Sequence, residues 1–417
     1  MKSYINHAES GFNKRLLCTA IMSVLAMGHM ANSHAGATFK IDDTKWVSVG
    51  LGLRSSFTAT ESAAANKDWS NNFALDNARL YFAGQLHKYL KVEFNTETQT
   101  ANNGGEVRIL DAIAKLEYNN YANLWVGRML VPGERREMNG PFYSGIYQTF
   151  AAGTPFEPSD YNLTIKNDGT SAGSYGRDDG ATIWGAAFDD RLQYAFGFFR
   201  GLRGGANAGD NPVYAQKISY NFWEVEKNPG YYTSGTYYGK GGDILTVSGN
   251  NQYQSEGVGV TGIPADFRGT GVDILMEKIL PNKAVLTLEG DYKNYGFDGA
   301  YNETVRNASV TKDAPAGAGF PMFAGQAYDV SGMYMFPEKF GYGFVQPYVR
   351  YVNINPNGST NRNTYQTGIN YVIDGHNAIV SLNYIYGDMA TKGITNFTSG
   401  VKGDNVSSLM LGFQWQI

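Results

Sequence analysis

The chain has 417 residues, rich in Gly (51) and Tyr (29), with 14% aromatic but only 17% charged residues and a formal net charge of −4. Charge this sparse falls below the roughly 25% usual in soluble domains, and a negative balance argues against binding to nucleic acid, which needs a basic surface. One cysteine, Cys18, and five histidines, of which His7, His29 and His34 precede residue 36, leave little from which to build a zinc site or a Cys–His or Ser–His catalytic apparatus.

The N-terminus reads as an export signal over residues 1–35. Lys14 and Arg15 supply the basic region, Leu16–Met27 the apolar region, and Ser33-His34-Ala35 a small-residue cleavage site. Cys18 leaves with this segment. So do Lys2, Lys14, Arg15 and Glu9, which makes residues 36–417 more acidic than the whole. Mean hydropathy is −0.34, and no later run is long enough for a spanning helix.

From residue 45 onward the pattern has a period of two. In Lys45–Thr58, Val47, Val49, Leu51, Leu53 and Phe57 share one face, and Ser48, Gly50, Gly52, Arg54 and Ser56 the other. The same alternation predicts strands at Phe73–Lys88, Leu90–Gln99, Val107–Tyr118, Ala122–Val131, Gly180–Phe188, Leu192–Gly201, Val213–Phe222 and Asp243–Tyr253. It continues through Arg268–Leu280, Ala284–Tyr295, Ala327–Phe336, Gly343–Val352, Asn363–Ile373, Asn377–Gly387 and Val406–Ile417. The last of these alternates Leu409, Leu411, Phe413, Trp415 and Ile417 with Met410, Gly412, Gln414 and Gln416. An aromatic-rich strand at a free edge invites aggregation, whereas pairing with the first strand closes a barrel.

The expected fold is therefore all-β: one transmembrane antiparallel barrel of about 16 strands over residues 36–417. Short turns such as Lys88-Tyr89 and Asp374-Gly375-His376 alternate with long polar segments such as Pro132–Asp179, Gln254–Phe267 and Asp298–Gln326, as in outer-membrane barrels. Glu224–Gly242 breaks the rule, being long where a short turn is due.

The longest gap, Pro132–Asp179, follows the fifth strand and carries Glu134, Arg135, Arg136 and Glu137, then Phe142, Tyr143, Tyr147, Phe150 and Phe156. It is expected to fold into the lumen as a constriction whose charges set ion preference; a surface loop with solvated charges is the plainer alternative. Arg54, Arg79, Lys115, Arg350 and Arg362 are the bases expected on the lumen face, since Arg or Lys facing lipid at midplane costs roughly 2–4 kcal/mol. Arg128 shares parity with Leu124 and Val126 and is counted with the pore-lining candidates. The acids on that face are Glu93, Glu97, Asp111, Glu117, Asp273, Glu277, Glu289 and Asp291. These charges serve either as a solute-binding ladder or as salt bridges that stiffen the wall.

The run Trp46-Val47-Ser48-Val49-Gly50-Leu51-Gly52-Leu53-Arg54, with Asn77–Gly84, Val92–Glu97 and Leu124–Pro132, resembles the phosphate-selective porin-like family of Gram-negative outer membranes. The resemblance implies a 16-stranded barrel, usually a trimer, with its third loop in the lumen and anion binding by Arg and Lys. The acidic balance of this chain departs from that last trait. The opening strands also look like the barrel of outer-membrane cytochrome–porin fusions, but residues 36–417 hold no Cys-x-x-Cys-His haem site.

The function expected from these features is a non-enzymatic porin without cofactor, passing small hydrophilic solutes or ions. Its expected partners are outer-membrane lipid, lipopolysaccharide and two further copies of itself. A surface adhesin with a plugged lumen, and a barrel scaffold for an electron-transfer partner, are the alternatives.

Overall fold

The computed structural model describes residues 36–98, 107–147, 176–201, 203–260, 262–299, 325–356, 361–388 and 405–417. The expected signal segment 1–35 and residues 148–175 of the expected constriction loop lie outside the described residues, as does the side chain of Arg362.

Sixteen strands form the wall. They are β1 (Trp46–Thr60), β2 (Ser70–His87), β3 (Leu90–Thr98), β4 (Val107–Glu117), β5 (Asn123–Leu130), β6 (Arg177–Ala187), β7 (Leu192–Phe199) and β8 (Val213–Asn221). There follow β9 (Ile244–Val260), β10 (Ile263–Ile279), β11 (Val285–Gly299), β12 (Gly325–Met335), β13 (Gly343–Pro356), β14 (Arg362–Asp374), β15 (Ala378–Asp388) and β16 (Asn405–Gln416). Each pairs antiparallel with its neighbours in sequence, and β16 pairs with β1 from Ser408↔Thr60 to Gln416↔Gly52, so the sheet closes on itself.

The seam has a second component. A short N-terminal strand, Ala37–Lys40, pairs with Val49–Trp46 of β1. It continues the line of β16 past the point where Leu51 and Ile417 exchange backbone hydrogen bonds of 2.8 and 2.9 Å. Removing Phe413–Ile417 is expected to leave the barrel open, because this erases the pairs from Ser55 to Gly52 together with the Leu51–Ile417 exchange. Loss of the compact, heat-modifiable band on cold SDS gels would show it; a truncated chain that still ran compact would refute it.

Burial gives the sidedness. Val47, Val49, Leu51 and Leu53 are 36–48% exposed, whereas Ser48, Arg54 and Ser56 between them are only 5–6% exposed. Apolar side chains outside and polar ones within is the inverse of a soluble sandwich and suits a wall between lipid and a polar lumen.

One connection differs from the sequence reading, and a second bears it out. Gln254–Phe267 is not a long loop. Strand β9 runs on to Val260 and β10 begins at Ile263, with a register shift between Gln254 and Val258. Glu256 sits there at φ 55°, the left-handed geometry of a bulge. The bulge breaks the alternation, and Gly257, Gly259, Gly262 and Pro264 give the strand ends a loop-like composition. The β8–β9 connection on the short-turn side is long, as read, and it enters the barrel.

Candidate functional site in the barrel lumen

After β5, Glu134 caps a five-residue helix, α1 (Arg135–Asn139), by accepting the Arg136 backbone N–H at 2.6 Å; Gly140, at φ 58°, ends it. Residues 131–147 then meet inward-facing groups around most of the circumference. Gln252 of β9 donates to the Pro132 carbonyl at 3.0 Å and Lys217 of β8 to that of Gly133 at 2.9 Å. Asn370 of β14 donates to the Gly145 carbonyl at 2.8 Å and Gln414 of β16 to that of Phe142 at 2.9 Å. Across the barrel, the Tyr147 hydroxyl donates to Asp76 of β2 at 2.7 Å, and Arg54 of β1 donates to the Tyr147 carbonyl.

Glycine makes the close approach possible. A Cβ at Gly52 would lie 2.8 Å from the Phe142 ring, and one at Gly412 would lie 2.8 Å from the Tyr147 ring. Arg54 stacks over Tyr147 at 4.0 Å and Arg79 over Phe142 at 5.1 Å, while Arg79 pairs with Glu97 at 2.5 Å. Lys115 pairs with Glu93 and lies 3.9 Å above the buried Trp125 ring.

From the opposite mouth comes the connection between Phe222 and Asp243. Tyr231 and Tyr232 pack on Trp125 with centroids 5.6 and 5.5 Å away, and the Tyr231 hydroxyl donates to the Leu130 carbonyl at 2.5 Å. Thr233 donates to the Arg135 carbonyl at 2.8 Å, and Gly235 to that of Tyr143 at 2.9 Å. His376, in the turn before β15, bonds Ser234 and the Thr236 carbonyl at 3.0 and 2.9 Å. Its ring lies edge-on to Tyr143 and Tyr238, and burial pulls its pKa down to about 4, so it is neutral at physiological pH.

Where the two inserts meet, charges converge. Arg135, wholly buried, grips Glu226 through two hydrogen bonds of 2.6 and 2.8 Å and lies 3.4 Å from Asp273, which also holds Lys217 at 2.6 Å. Arg136 contacts Glu289 at 3.2 Å and both Asp291 and Asp329 at 3.0 Å. Lys293 bridges Glu134 at 2.7 Å and Glu137 at 3.0 Å, and Arg350 pairs with Asp329 at 2.5 Å. Burial raises Glu137 to about 7, against the pull of Lys293. Burial also works against ionised Glu226, yet Arg135 holds it below the usual carboxylate range.

Of the residues singled out in the sequence, Arg135, Arg136, Glu134, Glu137 and Arg350 belong to one network. Arg54, Arg79 and Lys115 lie inside the barrel in a separate sector. Arg128 joins neither: it pairs in register with Ala112 on the outward parity and faces Asp179, itself 54% exposed, at 3.5 Å. Its neighbour Val126 is 47% exposed while the Arg128 side chain itself is 13% exposed, so Arg128 is set apart from both lumen networks. Sequence reading missed Lys217, Glu226, Lys293 and Asp329. Three were accessible by parity, since Lys217 lies with Ala215 and Ser219, Lys293 with Asp291, and Asp329 with Ser331; Glu226 sits in irregular chain that carries no period.

No family model matches the chain, and no curated protein does. Solved structures match across nearly its whole length. The anion-selective porin from Comamonas acidovorans is 13% identical, with 89% of this chain and 100% of that one covered, at a TM-score of 0.55. For Pseudomonas putida OprB the values are 10%, 89%, 94% and 0.54. For a loop L8 deletion mutant of OmpT, an outer membrane protein of Vibrio cholerae, they are 14%, 90%, 100% and 0.51. At such identities the likeness is one of fold. The chain is a closed 16-stranded antiparallel barrel of the kind found in Gram-negative outer-membrane porins, and the phosphate-selective branch is not singled out.

Proposed function

We propose that the protein is an outer-membrane porin that lets small hydrophilic solutes or ions diffuse through a charged constriction, after export by the signal segment 1–35. The observation that carries this reading is the sidedness of the wall: exposed apolar residues outside, and charged networks with a helix-bearing loop within. The loop after β5, the third long connection expected, narrows the passage from one mouth and the β8–β9 insert narrows it from the other. Charge held where water is scarce acts strongly on a passing ion.

The uneven height of the wall supports a homotrimer. Strands β5 and β7 have eight residues each against 17 in β9 and β10. At about 3.3 Å per residue and a tilt of about 40°, eight residues rise only about 20 Å, short of the ~25 Å apolar band of such barrels. Val126, Ile183, Phe196 and Phe198 are nonetheless exposed on this low side. Another copy covers it better than lipid, and OmpT of Vibrio cholerae is described in a trimer form. Lipid and lipopolysaccharide would contact the tall side.

The expected result for refolded protein in planar bilayers is stepwise conductance. Its absence would favour the second reading, a barrel with a closed lumen whose outer loops bind partners. The burial of Arg135, Arg136 and Glu226 at the middle of the lumen is the observation in favour of that reading.

A further inference from the structure

We infer that the lumen cluster beside α1 holds an exchangeable monovalent cation and gives the channel a preference for cations; the second half of this inference rests on the porin reading above. Five basic side chains (Arg135, Arg136, Lys217, Lys293 and Arg350) are linked by ion pairs to seven carboxylates: Glu134, Glu137, Glu226, Asp273, Glu289, Asp291 and Asp329. An eighth, the wholly buried Glu277, is held only by neutral donors among the described residues, from Thr236, Tyr237, Gly239 and Thr287. Among the described residues the surplus is three formal negative charges. In the sector from β1 to β6, among the described residues, Arg79, Lys115 and Arg177 pair with Glu97, Glu93 and Asp111.

A second observation locates the deficit. Glu289 and Asp291 are 3% and 6% exposed, yet both oxygens of Glu289 and Oδ1 of Asp291 have no hydrogen-bond donor. Among the described residues Arg136 is the base that contacts both, and Asp329 shares it; Arg135 and Arg350 act on Glu289 from further away. Glu134 lies within hydrogen-bonding reach of Asp291, so two carboxyls meet where like charges repel. Buried carboxylates so placed require either a counter-charge or a proton. Among the described residues no three His, Cys, Asp or Glu groups converge as a ready-made metal site, so the ion we infer is held weakly, by the free oxygens of Glu289 and Asp291. An anion entering the same space would add to the surplus and be repelled.

Two measurements test this. In a KCl gradient across a bilayer, the reversal potential should move toward that of potassium, with a K+ over Cl− permeability ratio well above one. The ratio should fall toward one in Glu289→Gln/Asp291→Asn, with folding checked by the compact gel band. Chloride preference, or an unchanged ratio in the folded double variant, overturns the inference. Independently of conduction, the wild-type barrel should melt at higher temperature in NaCl or KCl than in N-methyl-D-glucamine chloride of equal ionic strength. Equal melting temperatures that rise together as pH falls would mean that protons alone balance the cluster, which also overturns it. A barrel that conducts nothing yet melts in a cation-dependent way would sink the porin reading and retain the bound ion.

Discussion

Arg135→Met is expected to destabilise the folded barrel by about 3–5 kcal/mol, the usual cost of breaking a buried ion pair from one side. The guanidinium is wholly buried and saturates both oxygens of Glu226. Without it Glu226 stays in low dielectric with only neutral side-chain donors among the described residues, the Tyr237 hydroxyl at 2.6 Å and Thr246. Asp273 suffers less, because Lys217 still holds it at 2.6 Å. Adding Glu226→Leu should recover most of the loss, since the penalty lies in the stranded charge more than in the missing attraction. Urea midpoints of the refolded barrel decide the matter; a double variant no more stable than the single one would show that the pair is not closed to water. The loss is capped by the free energy of withdrawing the insert, which would hydrate Glu226.

The larger functional effect is expected from excising that insert. Replacing residues 224–242 with Asn-Gly should leave the wall intact, because β8 and β9 already pair from Thr246↔Asn221 to Tyr253↔Tyr214. Asn-Gly supplies the turn such a hairpin prefers. Tyr231 and Tyr232 would leave Trp125, and the Arg135 and Tyr143 carbonyls would lose their donors from Thr233 and Gly235. Single-channel conductance should rise severalfold, and tryptophan emission should shift to the red as Trp125 gains water. Unchanged conductance would show that the insert does not limit the bore.

The wall was legible in the sequence because a membrane barrel repeats one instruction every second residue. Ser48, Arg54 and Lys115 could be placed on their face by counting. Counting failed where geometry departs from two per repeat. The bulge at Gln254/Val258 hid the union of β9 and β10. The network inside was half legible. Its wall members obey parity, but Glu226 and α1 are brought together by two irregular segments 91 residues apart in sequence, and no local pattern encodes that meeting.

The entry of α1 and the insert through opposite mouths constrains the order in which the molecule can be made. Neither charged segment can thread easily through a closed ring to reach the other, so their encounter has to precede closure. The pairing of β16 with β1 joins groups as far as 348 residues apart, which carries the largest loop-closure cost of any strand pair in the wall. Folding should therefore run as curling around a growing polar filling, with the seam zipped last. A refolding time course should show Trp125 buried before the compact gel band appears.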